Sequence, residues 1–121
     1  MDVRIEAREG YLHVVIRRRE TAEETIAGWE RMLDAAAEHR LSRFLILLRE
    51  SRAIFTVERY GLSSVMERIA ALQPPPRIAT VPDSEELFAS HEYVELLSRQ
   101  RGIAMRVFRT EAAAIEWLQA P

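Results

Sequence analysis

The stretch from Arg43 to Leu48 reads RFLILL. Five large apolar residues in a row leave no side of a strand that could face water. A run of this kind belongs at the centre of a sheet whose two faces are both covered, as parallel sheets are. It is far shorter than the roughly 18 apolar residues that a membrane helix needs. It therefore predicts a buried central strand, and the rest of the chain has to supply the cover.

The flanking segments can do so. In DVRIEAR, Val3, Ile5 and Ala7 alternate with Asp2, Arg4, Glu6 and Arg8, the pattern of a half-buried strand. Glu9-Gly10 is a turn signal and YLHVVIR is a second strand, so a hairpin is expected. Thr21 and Glu24 form a capping box for a first helix with Ile26, Trp29, Leu33 and Ala36/Ala37 as its apolar stripe. After RFLILL, Thr56 is the expected cap of a second helix with Leu62, Val65, Met66, Ile69 and Leu72 inward. QPPP, Gln73 to Pro76, stops that helix. RIATV is a fourth strand, and Asp83 with Glu86 is the expected capping box of a third helix bearing Leu87, His91, Val94 and Leu97 on one face. Gly102 suits its C-terminal cap. AMRVF is a last strand, and Thr110 caps a final helix, Ala112 to Leu118, anchored by Ile115, Trp117 and Leu118. The predicted order is ββαβαβαβα: an α/β fold with a five-stranded, mainly parallel mixed sheet and four main helices in one domain, residues 1–121.

Composition narrows the chemistry. The 121 residues include no cysteine, which removes disulfides, thiolate nucleophiles and cysteine metal sites and fits a reducing cytoplasm. The net charge of −2, with both signs interspersed, does not favour a nucleic-acid surface. The first residues resemble neither a signal peptide nor a membrane span, and a cytoplasmic location is expected. None of the four glycines builds a phosphate cradle. His13, His39 and His91 have no metal-ligand spacing, so no metal or other cofactor is expected. His91, on an apolar helix face, reads as a core residue rather than a ligand or base. Gly28 and Gly61, inside predicted helices, allow either close packing or room for a ligand.

In a parallel sheet the strand ends that feed helices share one rim, where ligands of open α/β sheets tend to bind. That rim collects Arg17, Arg18 and Arg19, then Arg49 and Ser51 through Thr56, then Asp83 and Ser84, then Arg109 and Thr110. These are the candidate contacts for a ligand or partner. The plainer reading of Thr21, Thr56, Asp83 and Thr110 is that they are helix caps. The arginine run could hold an anion beside helix ends. It could instead be a solvated strand end balanced by Glu20, Glu23 and Glu24, and the closeness of those acids favours this second reading.

Three phrases, FLILLR leading into FTVERYGL, RQRGIAMRVF, and TEAAAIEWL, resemble the SpoIIAA-like superfamily, which includes STAS domains and shares its fold with CRAL-TRIO lipid-binding domains. The resemblance covers nearly the whole chain and is closest to small stand-alone bacterial members of unassigned function. It implies a SpoIIAA-like fold. Phosphorylatable antagonists of that superfamily carry an Asp-Ser pair at the junction entering the second helix, where this chain has about Thr56-Val57. Relatives often have an aspartate where Leu47 stands. Thr56 is the nearest hydroxyl and hence the phosphosite candidate.

The leading expectation is a non-enzymatic STAS-like interaction or regulatory module with a protein partner. The alternative is a carrier of a small apolar or lipid-like ligand. An anionic ligand at the rim and a homo-oligomer are both compatible with the sequence. An enzyme is the weakest reading. A receiver domain needs clustered acids and a lysine, and the chain has no lysine.

Overall fold

The computed structural model describes residues 1–53 and 62–121. Its strands are β1 (Asp2–Arg8), β2 (Tyr11–Arg17), β3 (Arg43–Arg49), β4 (Arg77–Pro82) and β5 (Ala104–Val107). Its helices are α1 (Ala22–His39), α2 (Leu62–Ala70), α3 (Glu85–Gln100) and α4 (Glu111–Gln119). The sheet runs β1-β2-β3-β4-β5, with β1 antiparallel to β2 and every later pair parallel. This is the five-stranded mixed sheet with four helices that the sequence predicts. Gly10 makes the hairpin turn at φ +86°, a conformation in which a side chain is strained.

Strand order and helix placement have one cause. Each crossover from β2 onward adds its strand on the same side of the last. Right-handed crossovers that all step in one direction place their helices on one face. So α1, α2 and α3 share a face, while α4, which follows the last strand, is free to fold back onto the other. The period of two then divides the core. Leu12, Val14, Ile16, Phe44, Ile46, Leu48, Ile78 and Met105 point toward the three-helix side with Met32, Leu33, Val65, Met66, Ile69 and Leu87. Tyr11, Leu45, Leu47, Ala79 and Val81 point toward α4 with Ala114 and Leu118. Phe44 to Leu48 are all at most 6% exposed, because β3 is covered on both sides.

The helix ends explain the boundaries. Thr21 accepts from the Glu24 amide at 3.1 Å, and Glu24 accepts from the Thr21 amide at 3.2 Å, completing the box. Thr110 accepts from the Ala113 amide at 3.2 Å, so α4 starts at Glu111, one residue earlier than expected. At α3 the cap is Ser84, which accepts from the Leu87 amide at 3.2 Å, and not Asp83. Asp83 instead accepts from the Glu50 amide at 3.0 Å, tying the end of β3 to the end of β4. Gly102, at φ +73°, follows the C-cap Arg101. Bonds from Gly102 to the Arg99 carbonyl and from Ile103 to the Ser98 carbonyl complete a Schellman ending. Ala37 is exposed and Met32 is buried, so the α1 stripe is turned slightly from the expected one. The cap expected at Thr56 lies outside the described residues, as does Gly61.

On the α4 side, Ala114 and Leu118 are fully buried, whereas Ile115 and Trp117 are only partly so. Trp117 packs against Phe108 at 5.6 Å between ring centroids, with Arg77 and Arg106 over its ring. The guanidinium groups of Arg43 and Arg77, at the starts of β3 and β4, donate to the carbonyls of Leu118, Trp117 and Ala120. These carbonyls lie at the C-terminal end of α4, where among the described residues only that of Trp117 also accepts from a backbone amide, that of Ala120, and a cation is favoured there.

Candidate functional site

The rim residues do converge. Arg17 pairs with Arg49 in register, the Arg18 amide donates to the Arg49 carbonyl at 3.1 Å, and the Arg52 amide donates to the Arg19 carbonyl at 2.8 Å. Two turns in the left-handed region, Arg18 at φ 56° and Glu50 at φ 51°, redirect the chain as it leaves β2 and β3. Ser51 accepts from the Arg19 amide at 3.1 Å and donates to the Arg49 carbonyl at 3.0 Å. Arg49 donates to the carbonyls of Leu48 and Val81, both at 3.1 Å, and straps β3 to β4. Arg109 pairs with Glu85 at 2.5 Å and lies 4.0 Å over the Phe88 ring, beside an open cleft that includes Pro82, Asp83 and Ser84. Ser84 and Thr110 cap helices. Most rim groups are therefore engaged with one another or with the backbone. Arg17 and Arg18 stay exposed. Thr56, the phosphosite candidate, lies outside the described residues.

Arg19 is the exception within the run. It is 6% exposed, although its neighbours Arg17, Arg18 and Glu20 face water. The left-handed turn at Arg18 reverses the side-chain alternation and turns Arg19 inward. One Nη donates to the Arg52 carbonyl, while Nε has no partner. No carboxylate of the described residues pairs with it within 4 Å. Burial lowers its guanidinium to about 10, with Glu24 opposing, so it remains cationic at neutral pH.

Arg19 lines a cavity of about 80 Å³ on the three-helix side of the sheet. Its walls are mostly apolar, with Ile16, Trp29, Met32, Leu48, Met66 and Ile69 among them. Thr80, Ser90, His91 and Ser98 also line it. Thr80 sits in the register row Val14, Ile46, Thr80, Val107, so its hydroxyl enters an otherwise apolar layer. It is 1% exposed and Oγ1 has no partner. His91, in the second turn of α3, is 7% exposed and its Nδ1 has no partner. Burial first, and then the Arg19 charge, lower the imidazole to about 3, so His91 is neutral under ordinary conditions. Ser98 donates to the Met105 sulfur at 3.3 Å.

Reading His91 as a buried helix residue agrees with its position, but the sequence pattern does not connect it with Arg19 or Thr80. The available signal was a lone hydroxyl on the apolar alternation of RIATV. For Arg19 the signal was absent, because a third arginine in a run looks as solvated as the first two. Among the described residues Gly28 is not part of the cavity lining, and a side-chain carbon there would meet Ile16 and Met1 at 4.0 Å. Among the described residues no group of three His, Asp or Glu could hold a metal ion. No described helix is long and apolar enough to cross a membrane.

No family model and no curated protein matches the chain. Among solved structures it is similar to an uncharacterized protein of the DUF3478 family with a SpoIIAA-like fold, from Shewanella loihica PV-4. The TM-score is 0.57 at 14% identity, and the match covers 97% of this chain and 92% of that one. A likeness at this identity bears on architecture alone. Strand order, the antiparallel first strand, three helices on one face and this match together identify the chain's fold as SpoIIAA-like.

Proposed function

We propose that this protein is a non-enzymatic binding module that carries a small, mainly apolar ligand in the cavity between the sheet and α1, α2 and α3. The observation that carries this reading is three unpartnered buried polar atoms, Arg19 Nε, Thr80 Oγ1 and His91 Nδ1, on residues lining one apolar cavity. A buried polar group without a partner costs about 1–3 kcal/mol, so three of them on one site call for a guest that pairs them. Small-molecule sites combine these features: apolar walls and a few convergent polar groups. The regulatory reading of the sequence rests on the family resemblance; its phosphosite candidate, Thr56, lies outside the described residues, and the rim groups already engaged with one another add no support to it.

Trp29 lines the cavity and Trp117 packs on the other side of the sheet. In a Trp117→Phe background, Trp29 fluorescence should therefore change saturably when short linear alcohols, acids and their longer homologues are added. Native mass spectrometry of protein purified from its own host should show a bound small molecule. Failure of the whole series to bind, with a ligand-free native mass, would overturn the carrier reading.

A further inference from the structure

The reading of the cavity as a ligand site leaves the ligand's chemistry open, and its polar lining narrows it. We propose that Arg19, Thr80 and His91 form a head-group site for a monocarboxylate whose hydrocarbon part lies among the cavity's methionine and aliphatic side chains. This rests on the proposed carrier function and goes one step further, to the ligand class.

Charge is the first reason. Arg19 brings one buried positive charge to the cavity, and no carboxylate of the described residues pairs with it. A buried charge is strongly unfavourable unless it is paired and hydrogen-bonded. One carboxylate supplies one negative charge. A phosphate monoester at neutral pH brings about −1.5 to −2, which would leave part of its own charge unpaired in the same cavity.

Shape and donors are the second reason. Guanidinium groups present planar donors that match planar carboxylates. The Arg19 Nε–H is buried without a partner, the Thr80 hydroxyl can donate, and neutral His91 donates from Nδ1 in the tautomer that carries its proton there. His91 cannot compete as a second cation, since the Arg19 charge and burial both keep it neutral. The third reason is size. A cavity of about 80 Å³ suits a short chain rather than a large amphiphile. The walls beyond the polar groups, Met32, Met66 and Ile69, offer only dispersion contacts to a tail.

Hexanoate, hexanol and hexylamine have equal tails and different heads, so they separate the head-group claim from the cavity claim. They are titrated into the full chain by calorimetry and by ¹H–¹⁵N correlation spectra that include the arginine Nε–H signals. Hexanoate should bind about tenfold or more tighter than hexanol, the equivalent of one charge-assisted hydrogen bond, and hexylamine should bind weakest. The Arg19 Nε–H signal and the Thr80 and His91 amides should shift. R19M should bring hexanoate down to the affinity of hexanol, T80V should weaken it several-fold, and R18M, at an exposed position, should change nothing. Equal binding of hexanoate and hexanol, or hexanoate binding that R19M leaves unchanged, would overturn the head-group site while the carrier reading stands. Absence of binding by all three, with Arg19 Nε–H unmoved, would overturn both and leave water as the partner of these groups.

Discussion

The two faces of the sheet use the same strands and solve opposite problems. On the α4 face, one short helix is held by a buried Leu118, by arginines on its terminal carbonyls and by a tryptophan flanked by cations. On the three-helix face, far more apolar surface is buried, yet the packing leaves a cavity and three polar atoms without partners. A face closed by one helix can be filled by choosing a few side chains. A face closed by three helices has a space where they meet, and its filling depends on all of them at once. The first face is closed by these contacts. The second has room for a guest, and the two should respond differently to substitution.

The largest difference should come from the filled face. Leu118→Ala removes a fully buried side chain and leaves a new void, so it should destabilise the protein by about 3–4 kcal/mol. Denaturant unfolding measures this. A loss below about 1 kcal/mol would show that α4 is loosely docked and that the contrast between the faces is unfounded.

The next effect belongs to the cavity face and depends on pH. The folded pKa of His91, about 3, lies below its ordinary 6.5. Between these values the unfolded chain takes up a proton that the folded protein refuses. The contribution is fully present above about pH 6.5 and is lost as the pH falls toward 3. Relative to His91→Gln, the native protein should lose about 1.4 kcal/mol per pH unit across that window. Parallel stability curves for the two proteins from pH 7 to pH 4 would mean that His91 is protonated in the fold.

Trp117→Ala sharpens the comparison within the α4 face. Loss of a fully buried aromatic costs about 3–5 kcal/mol, but Trp117 is only partly buried. About 2 kcal/mol is expected, less than for Leu118→Ala although the side chain is larger. The reverse ranking in chemical denaturation would place the anchor of α4 at its aromatic rim.

The smallest effect should have the opposite sign. Thr80→Val replaces an unpartnered hydroxyl by a methyl group of similar shape, and should stabilise the ligand-free protein by about 1 kcal/mol. A destabilisation in the same thermal or chemical melts would show that Thr80 already has a partner, such as an ordered water in the cavity.

The elements of the fold were legible in the sequence because they depend on local physics. The continuous apolar run at Phe44–Leu48 requires cover on both sides. Alternation in Asp2–Arg8 and helical spacing around Val65, Met66 and Ile69 assign an inner face. Thr21, Gly10 and Gly102 mark boundaries through hydrogen bonding and backbone conformation that act within a few residues. Even the order of elements, with right-handed crossovers, limits where the helices can lie. Choices between near neighbours were less legible. Asp83 and Ser84 can both cap a helix, and the decision came from the Glu50 amide, 33 residues away in sequence, which holds Asp83.

The cavity was decided by tertiary structure alone. Arg17, Arg18 and Arg19 are chemically identical, and composition assigns all three to solvent. One left-handed residue at Arg18 and the pairing of the chain beyond β2 with the chain beyond β3 bury the third. Thr80 and His91 belong to different elements, and each alone reads as an ordinary residue of its strand or helix. What brings them to one space is the stacking of α3 over β4 and the packing of α1 and α2 beside it. Sequence periodicity reports which way a side chain points within its own element. The environment it meets there, and whether its polar atoms find partners, depends on distances between elements that no local pattern encodes.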